Sequence, residues 1–333
     1  MSVRIGTRGS ALALTQSQQT AELLAGVGGF TTELVRIKTE GDVKTGSLAS
    51  LGGTGVFVAA LREALLADRC DVAIHSLKDL PTAGEPGLSI AAIPVRADFR
   101  DVLCARDGLT LAQLPAGSKV GTGSPRRAAQ LRALRPDLEV LDIRGNVDTR
   151  LGRVPGLPGN APEAPGDLDA VVLAAAGLTR LGRTDVVSEY FEPDVMLPAP
   201  GQGALAVECR LEDAPERPAH GGAAGGPAAD GGVLAHALAA IDDADTRLAV
   251  TAERALLARL EAGCAAPVGA FARRKGSMLH LDAIVCAVDG TKSLRLNKAT
   301  DGLTEVGATL LGIELAEELL AQGAGDLADL GAS

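Results

Sequence analysis

One short phrase occurs twice in this chain. Val3-Arg4-Ile5-Gly6-Thr7-Arg8-Gly9-Ser10 leads into an apolar-periodic run over 11–25, and Ser118-Lys119-Val120-Gly121-Thr122-Gly123-Ser124 leads into Pro125-Arg126-Arg127-Ala128-Ala129-Gln130-Leu131. Each reads as a short strand, Gly-Thr, small residues and a capped helix. Ser10 and Ser124 suit the N-cap, and Pro125 suits the first helical position. Each half goes on to a second short apolar strand, at 70–75 and at 168–173. The repetition predicts an α/β fold with two domains of like plan, each offering a helix N-terminus to a ligand held in the cleft between them.

Arg126 and Arg127 fall in the first turn of the second helix, where the helix dipole disfavours a cation by about 0.3–1 kcal/mol. A solvated surface pair costs little there. The alternative is an anion held between free backbone N–H groups and guanidinium forks. On either account, loss of these arginines is expected not to lower stability. Arg144, Arg150 and Arg180 also fall near element ends. The accumulation favours a ligand carrying several negative charges.

The net charge is −10 and aromatic residues make up 2% of the chain, with no Trp. General nucleic-acid binding needs a basic face and stacking platforms, so neither feature favours it. With 46% hydrophobic and 22% charged residues the composition is that of a globular protein. Five scattered cysteines without a Cys-x-x-Cys suggest reduced thiols and a cytoplasmic chain. The start of the chain does not resemble a secretion signal, and no apolar run approaches the roughly 18–20 residues of a membrane span. No membrane or nucleic-acid partner is expected.

Along the chain, the first α/β domain is expected over 1–98 with 199–212, and the second over 99–198. The first includes a strand at 32–38, a Gly-rich loop at 51–55 and an amphipathic helix at 56–67. Residues 197–203, Leu-Pro-Ala-Pro-Gly-Gln-Gly, read as a hinge before a strand at 204–209. The Pro- and Gly-rich stretch 155–166 reads as a mobile excursion, and 213–241 as a flexible insertion and linker. A third, smaller α+β domain is expected over 242–333. It comprises a helix at 245–260, strands at 279–288 and 294–299, and a helix at 304–320.

The sequence lacks a P-loop, a Gly-x-Gly-x-x-Gly after a strand, a Gly-x-Ser-x-Gly elbow and any His cluster with zinc-ligand spacing; no metal is expected. Two segments remain. His75-Ser76-Leu77-Lys78-Asp79 closes a buried-type strand, and Gly263-Cys264-Ala265-Ala266-Pro267 places a thiol in a loop of small residues. A solvated Lys–Asp pair and a packed free Cys are the plain alternatives.

Together these residues resemble the porphobilinogen deaminase (hydroxymethylbilane synthase) family. The matching segments, in order, are Gly6–Ser10, His75–Asp79, Gly121–Gln130, Arg144-Gly145-Asn146 with Thr149-Arg150-Leu151, Pro200–Ala204, and Ala252–Ala255 leading to Gly263-Cys264. The family fold is two domains like type II periplasmic binding proteins with an interdomain cleft, plus a third domain carrying the cysteine. The resemblance implies a monomeric cytoplasmic transferase of tetrapyrrole, porphyrin and heme biosynthesis. It would join four porphobilinogen molecules head to tail into hydroxymethylbilane, releasing ammonia, on a dipyrromethane cofactor held by a thioether at Cys264.

The same resemblance makes Asp79 the catalytic aspartate. It implies substrate or cofactor binding by Arg8, Ser10, Lys78, Ser124, Arg126, Arg127, Arg144, Arg150, Arg180 and Arg254. The chemistry agrees: each substrate brings an acetate and a propionate, so a growing chain needs several guanidinium forks. Loss of ammonia leaves a cationic methylene-pyrrole that a carboxylate can stabilise. Ser50 and Thr54 stand where family members commonly have lysines. The competing account is a non-catalytic anion-binding protein of the two-domain periplasmic type, which has no need of the Cys264 loop.

Overall fold

The computed structural model describes residues 1–37, 55–160, 166–216, 232–262, 266–328 and 330. Cys264, Ser50, Thr54 and, of the two expected excursions, residues 161–165 and 217–231 lie outside them.

The first sheet grows from β1 (Ser2–Thr7), on which Val3 and Ile5 are fully buried. β1 pairs in parallel with β2 (Thr31–Arg36) and β3 (Val72–Ser76). β4 (Leu88–Ala92) completes the run before the chain crosses to the second domain. The first helix, α1 (Ala11–Gly28), starts at the Ser10 cap, whose side chain accepts a bond from the Ala13 N–H. α2 (Gly55–Leu66) covers the other face.

The second sheet repeats the plan. β6 (Lys119–Thr122) pairs in parallel with β7 (Glu139–Asp142) and β8 (Ala170–Ala174). β5 (Asp101–Ala105) runs antiparallel between β8 and β9 (Glu189–Phe191). β5 is the first strand after the crossing. Its counterpart in the first sheet is β10 (Leu205–Arg210), antiparallel between β3 and β4, which enters after the chain crosses back. The strand orders are therefore β2-β1-β3-β10-β4 and β7-β6-β8-β5-β9. The helices of the second domain are α3 (Pro125–Leu134), α4 (Val147–Leu151) and α5 (Ala175–Arg180).

Two expectations need correcting. Residues 233–241 are not linker but a helix, α6 (Val233–Ile241), whose Leu234, Ala237 and Leu238 are buried with Ala21 and Leu24 of α1. The described part of the 155–166 stretch is also anchored. Leu157 is buried, the Asn160 amide donates to the Leu151 and Val154 carbonyls, and Arg183 donates to the Pro158 carbonyl. Side-chain bonds to backbone replace regular structure there.

In the third domain α7 (Ala244–Arg259) and α8 (Glu305–Ala321) pack on one face of an antiparallel sheet of β11 (Val268–Lys275), β12 (Met278–Cys286) and β13 (Ser293–Thr300). β11 was not expected. The other face of this sheet carries Phe271, Ile284 and Cys286, packed against Ala129 of α3 and Leu197 of the returning crossing. No helix among the described residues is long and apolar enough to cross a membrane.

Candidate active site

In both sheets the parallel strands end at the motif residues. Arg8 follows β1, Lys78 and Asp79 form a single 3-10 turn after β3, Ser124 caps α3 after β6, and Arg180 ends α5 after β8. Carboxyl ends of strands are where open α/β sheets bind ligands. The two halves meet there: Leu12 of α1 lies 3.8 Å from the position a Cβ on Gly177 of α5 would take.

Gln202, fully buried in the returning crossing, joins the halves. Its amide nitrogen donates to Asp101 Oδ1 and the Phe99 carbonyl, both at 2.8 Å. Its oxygen accepts from Lys78 Nζ and from Arg127 Nη2, both at 3.4 Å. Gly203 beside it (φ +89°) passes so close to the other crossing that a Cβ would sit 2.6 Å from the Ala97 carbonyl oxygen. Its own carbonyl accepts from Arg180 Nη2 at 2.9 Å. Behind the crossing stands Glu253 of α7, fully buried, which accepts from the Gly201 N–H (2.6 Å), the Ala272 N–H (2.8 Å) and both Nη atoms of Arg96 (2.6 and 3.1 Å).

Arg126 and Arg127 are not open forks at a helix end. They are 4% and 5% exposed and share the fully buried Asp101. Arg126 Nη1 donates to Asp101 Oδ2 (2.7 Å) and the Leu197 carbonyl (2.6 Å). Arg127 Nε reaches Asp101 Oδ1 (2.9 Å) and Nη1 the Val172 carbonyl (3.1 Å). Burial would raise the Asp101 carboxyl, but the two guanidiniums outweigh it and hold the group well below the usual carboxylate range. The expectation that these arginines are dispensable for stability is therefore reversed, because their first partner is inside the protein. Arg254 is likewise turned inward, donating to the carbonyls of Leu80 (3.1 Å) and Pro81 (2.7 Å) just after the Asp79 turn.

The remaining candidates differ in exposure. Arg144 is exposed and pairs with Asp142 at 3.0 Å. Arg150, half-buried, donates to the Gly145 carbonyl, and its Nη2 lies 3.7 Å from where a Cβ on Gly123 would sit. Burial, then repulsion from Arg127 and Arg144, lowers Arg150 from the ordinary guanidinium value. Burial alone brings Arg180 down to about 10. Burial, then Arg127, lowers Lys78 to about 8 against the attraction of Asp79 and Asp101. Arg127 thus adds positive charge at both Lys78 and Arg150. Arg8 and Ser10 are half-buried at the start of α1, as is Ser124 at the start of α3.

Three residues here had no role assigned from the sequence: Gln202, Asp101 and Gln16. Gln16 lies on the buried side of α1 with its Nε2 3.3 Å from Ser76 Oγ. Gln202 was visible as the residue between two glycines of a hinge-like segment that matches the family, without a role of its own.

Two similar α/β lobes linked by two crossings, with lysine and arginine side chains gathered at the facing strand ends and a third α+β domain behind, define a two-lobed α/β fold with its candidate site between the lobes. A sequence profile described as porphobilinogen deaminase, dipyromethane cofactor binding domain, matches residues 3–217, and one described as porphobilinogen deaminase, C-terminal domain, matches 247–321. The chain belongs to the porphobilinogen deaminase family. It is 55% identical to the porphobilinogen deaminase of Micrococcus luteus, over 97% of this chain and 93% of that one. It is 54% identical to that of Cutibacterium acnes, over 99% and 98%. Among solved structures, a periplasmic substrate-binding protein of an ABC transporter from Coxiella burnetii is similar at 14% identity. That match covers 72% of this chain and 91% of that chain, with a TM-score of 0.41.

Proposed function

We propose that this chain carries out the family's reaction, joining four porphobilinogen molecules head to tail into hydroxymethylbilane with loss of ammonia at each step. The observation that carries this reading is the meeting of Lys78, Arg127 and Gln202 at the facing strand ends, with the Asp79 carboxylate next to Lys78. The residues present fit a group rich in carboxylates, since burial, then repulsion from Arg127, already lowers both Lys78 and Arg150, and Arg180 reaches the Gly203 carbonyl beside Gln202. Lys78, Arg150 and Arg180 would hold a bound dipyrromethane and the substrate, with Ser10 and Ser124 donating from their hydroxyls and Arg8 and Arg144 placed at the margins. When bound, the dipyrromethane supplies the pyrrole end to which the first substrate is added.

In each addition a carbon–carbon bond forms, the carbon–nitrogen bond to the leaving amine and the C–H bond of the receiving pyrrole carbon break, and the released proton balances the ammonia that departs. Asp79 offsets the positive charge left on the substrate methylene and accepts pyrrole N–H bonds. Arg126, Arg127 and Asp101 fix the second lobe around Gln202, and Arg254 holds the backbone beyond Asp79. We place the cofactor thioether at Cys264, which falls between α7 and β11. The four described cysteines support this, because burial pushes Cys70 and Cys286 to about 11 and Cys104 and Cys209 to about 12, where a thiol is a poor nucleophile at neutral pH. We further propose domain limits at 1–98 with 199–212, 99–198 and 242–333, with α6 joined to the first domain. We read the chain as a cytoplasmic monomer acting on a small molecule without nucleic-acid or membrane partners.

Intact mass of the purified protein tests the proposal. The mass should exceed that of the chain by two pyrrole units, and Cys264→Ser should lack the thioether adduct because a hydroxyl is a far weaker nucleophile than a thiolate. An unchanged adduct and full activity in Cys264→Ser would place the cofactor elsewhere.

Lys78 adds a pH dependence. Below about pH 8 it is an ammonium that can pair with substrate carboxylate, so kcat/KM should fall as pH rises through about 8. Stability should move the other way. The folded-state value is depressed from 10.5, so between about 8 and 10.5 the unfolded chain binds the proton more tightly and Lys78 makes folding more favourable as pH rises. Lys78→Arg stays charged and should lose the alkaline limb near 8. A limb that persists in that variant belongs to another group.

A further inference from the structure

The turn between β12 and β13 belongs to the third domain but ends on α3, the helix that carries Arg126 and Arg127. Gly290 (φ +77°) forms its tip. A Cβ there would sit 2.5 Å from Arg132 Cβ, 2.8 Å from the Ala129 carbonyl oxygen and 2.9 Å from the Ala133 nitrogen. Non-bonded carbons rest about 3.5–4.0 Å apart, so one methyl group demands a shift of about 1 Å. Two of the three atoms are backbone, so the helix itself or the whole turn must move.

The turn gives little. Gly290 N–H donates to the Ala287 carbonyl and Ala287 N–H to that of Lys292. Asp289 accepts from both the N–H and the hydroxyl of Thr291, and Arg132 Nη1 donates to the Val288 carbonyl at 2.8 Å. The contact continues under the tip, where Ile284, Cys286 and Phe271 meet Ala129 and Leu197. At its other end α3 delivers Arg127 to Asp101 and to Gln202, the residue that also holds Lys78.

We propose that the 287–292 turn is a positioning element for the cleft: Gly290, seated against α3, sets where Arg127, Gln202 and Lys78 stand. The inference rests on the reading of the Lys78 and Arg127 cluster as the place where substrate carboxylates bind. In this arrangement the third domain presents more than the cofactor cysteine, since it also fixes the binding surface of the second lobe.

Gly290→Ala tests it, with Gly307→Ala as a matched control. A Cβ on Gly307 of α8 would meet the Gly302 carbonyl oxygen at 2.1 Å and the Gly302 carbonyl carbon at 2.9 Å, a wedge of similar severity inside the third domain whose nearest atoms all belong to Gly302 rather than to α3 or α7. Both variants should melt lower than the parent protein. Kinetics are compared well below either midpoint, with rates normalised to covalently loaded protein. Gly290→Ala should lower kcat/KM for porphobilinogen by about 10- to 100-fold, mainly through KM, the scale expected when reacting groups are misplaced by about 1 Å. Gly307→Ala should leave KM within about twofold of the parent. Arg132→Ala loosens the same contact without a wedge and should shift KM in the same direction by less. It also carries the test if Gly290→Ala does not fold. Arg127→Lys probes the underlying reading. A raised KM in Arg127→Lys with unchanged KM in Gly290→Ala and Arg132→Ala overturns this proposal alone, as does an equal KM shift in Gly307→Ala. An unchanged KM in Arg127→Lys overturns the reading beneath it.

Discussion

Arg126→Leu is expected to destabilise the fold by about 3–5 kcal/mol, the cost of leaving a buried ionic partner uncompensated. Removing a cation from a helix N-terminus recovers only about 0.3–1 kcal/mol. The two effects differ severalfold, so the loss of pairing decides the sign. Asp101 is fully buried and its two oxygens are divided between Arg126 and Arg127, while Gln202 adds a third donor. Without Arg126, Oδ2 loses its guanidinium, and the Leu197 carbonyl loses one of the two side-chain donors it shares with Gln130. Arg127→Leu should cost a similar amount and also weaken substrate binding, because Arg127 reaches Gln202. Asp101→Ala should cost at least as much, since it strands two buried cations. Urea unfolding of the three variants reads these values. An Arg126→Leu variant within about 1 kcal/mol of the parent would show that water relieves Asp101.

The twin lobes were legible because their signals are local. Ser10 and Ser124 cap their helices as their positions demand, and Gly-Thr ends each preceding strand. What the sequence hid was tertiary. Asp101 lies 25 and 26 residues before its arginines, and only β5 brings it under α3. The helix start could therefore be placed while the purpose of its cations was misjudged. α6 follows a Gly- and Ala-rich stretch and begins at Gly232 without a side-chain cap, so its order comes from burial against α1 rather than from its own termini. β11 gives no alternation because Val268 through Ala272 are buried on both faces, between α7 and α8 on one side and α3 on the other. Of the candidate site, Lys78 and Asp79 follow directly on β3, the strand read at 70–75, whereas Arg180 closes a short helix, α5. Cys264 was visible as a thiol in a loop of small residues, and its role as the cofactor cysteine came from the family resemblance.

Asp79→Asn should retain the fold and bind substrate, yet turn over about 10²–10³-fold more slowly, the scale seen when one preorganised electrostatic group is lost. Asp79 closes a one-turn 3-10 segment whose backbone is fixed on both sides. Leu77 N–H donates to the Ala204 carbonyl, Leu80 N–H closes the turn onto Leu77, and Arg254 clamps the Leu80 and Pro81 carbonyls. The asparagine therefore sits where the aspartate did and can still accept one pyrrole N–H bond. It lacks the charge that offsets the cationic methylene left by ammonia, and it cannot pass on a proton. If Lys78 and Asp79 were only a half-exposed ion pair, the substitution would change stability by at most about 1 kcal/mol and leave the kinetics alone. Cofactor loading separates assembly from turnover, because the thioether need form only once per protein molecule. Single-turnover ammonia release from fully loaded Asp79→Asn is the decisive measurement, and a rate near that of the parent would remove the carboxylate from the chemical step.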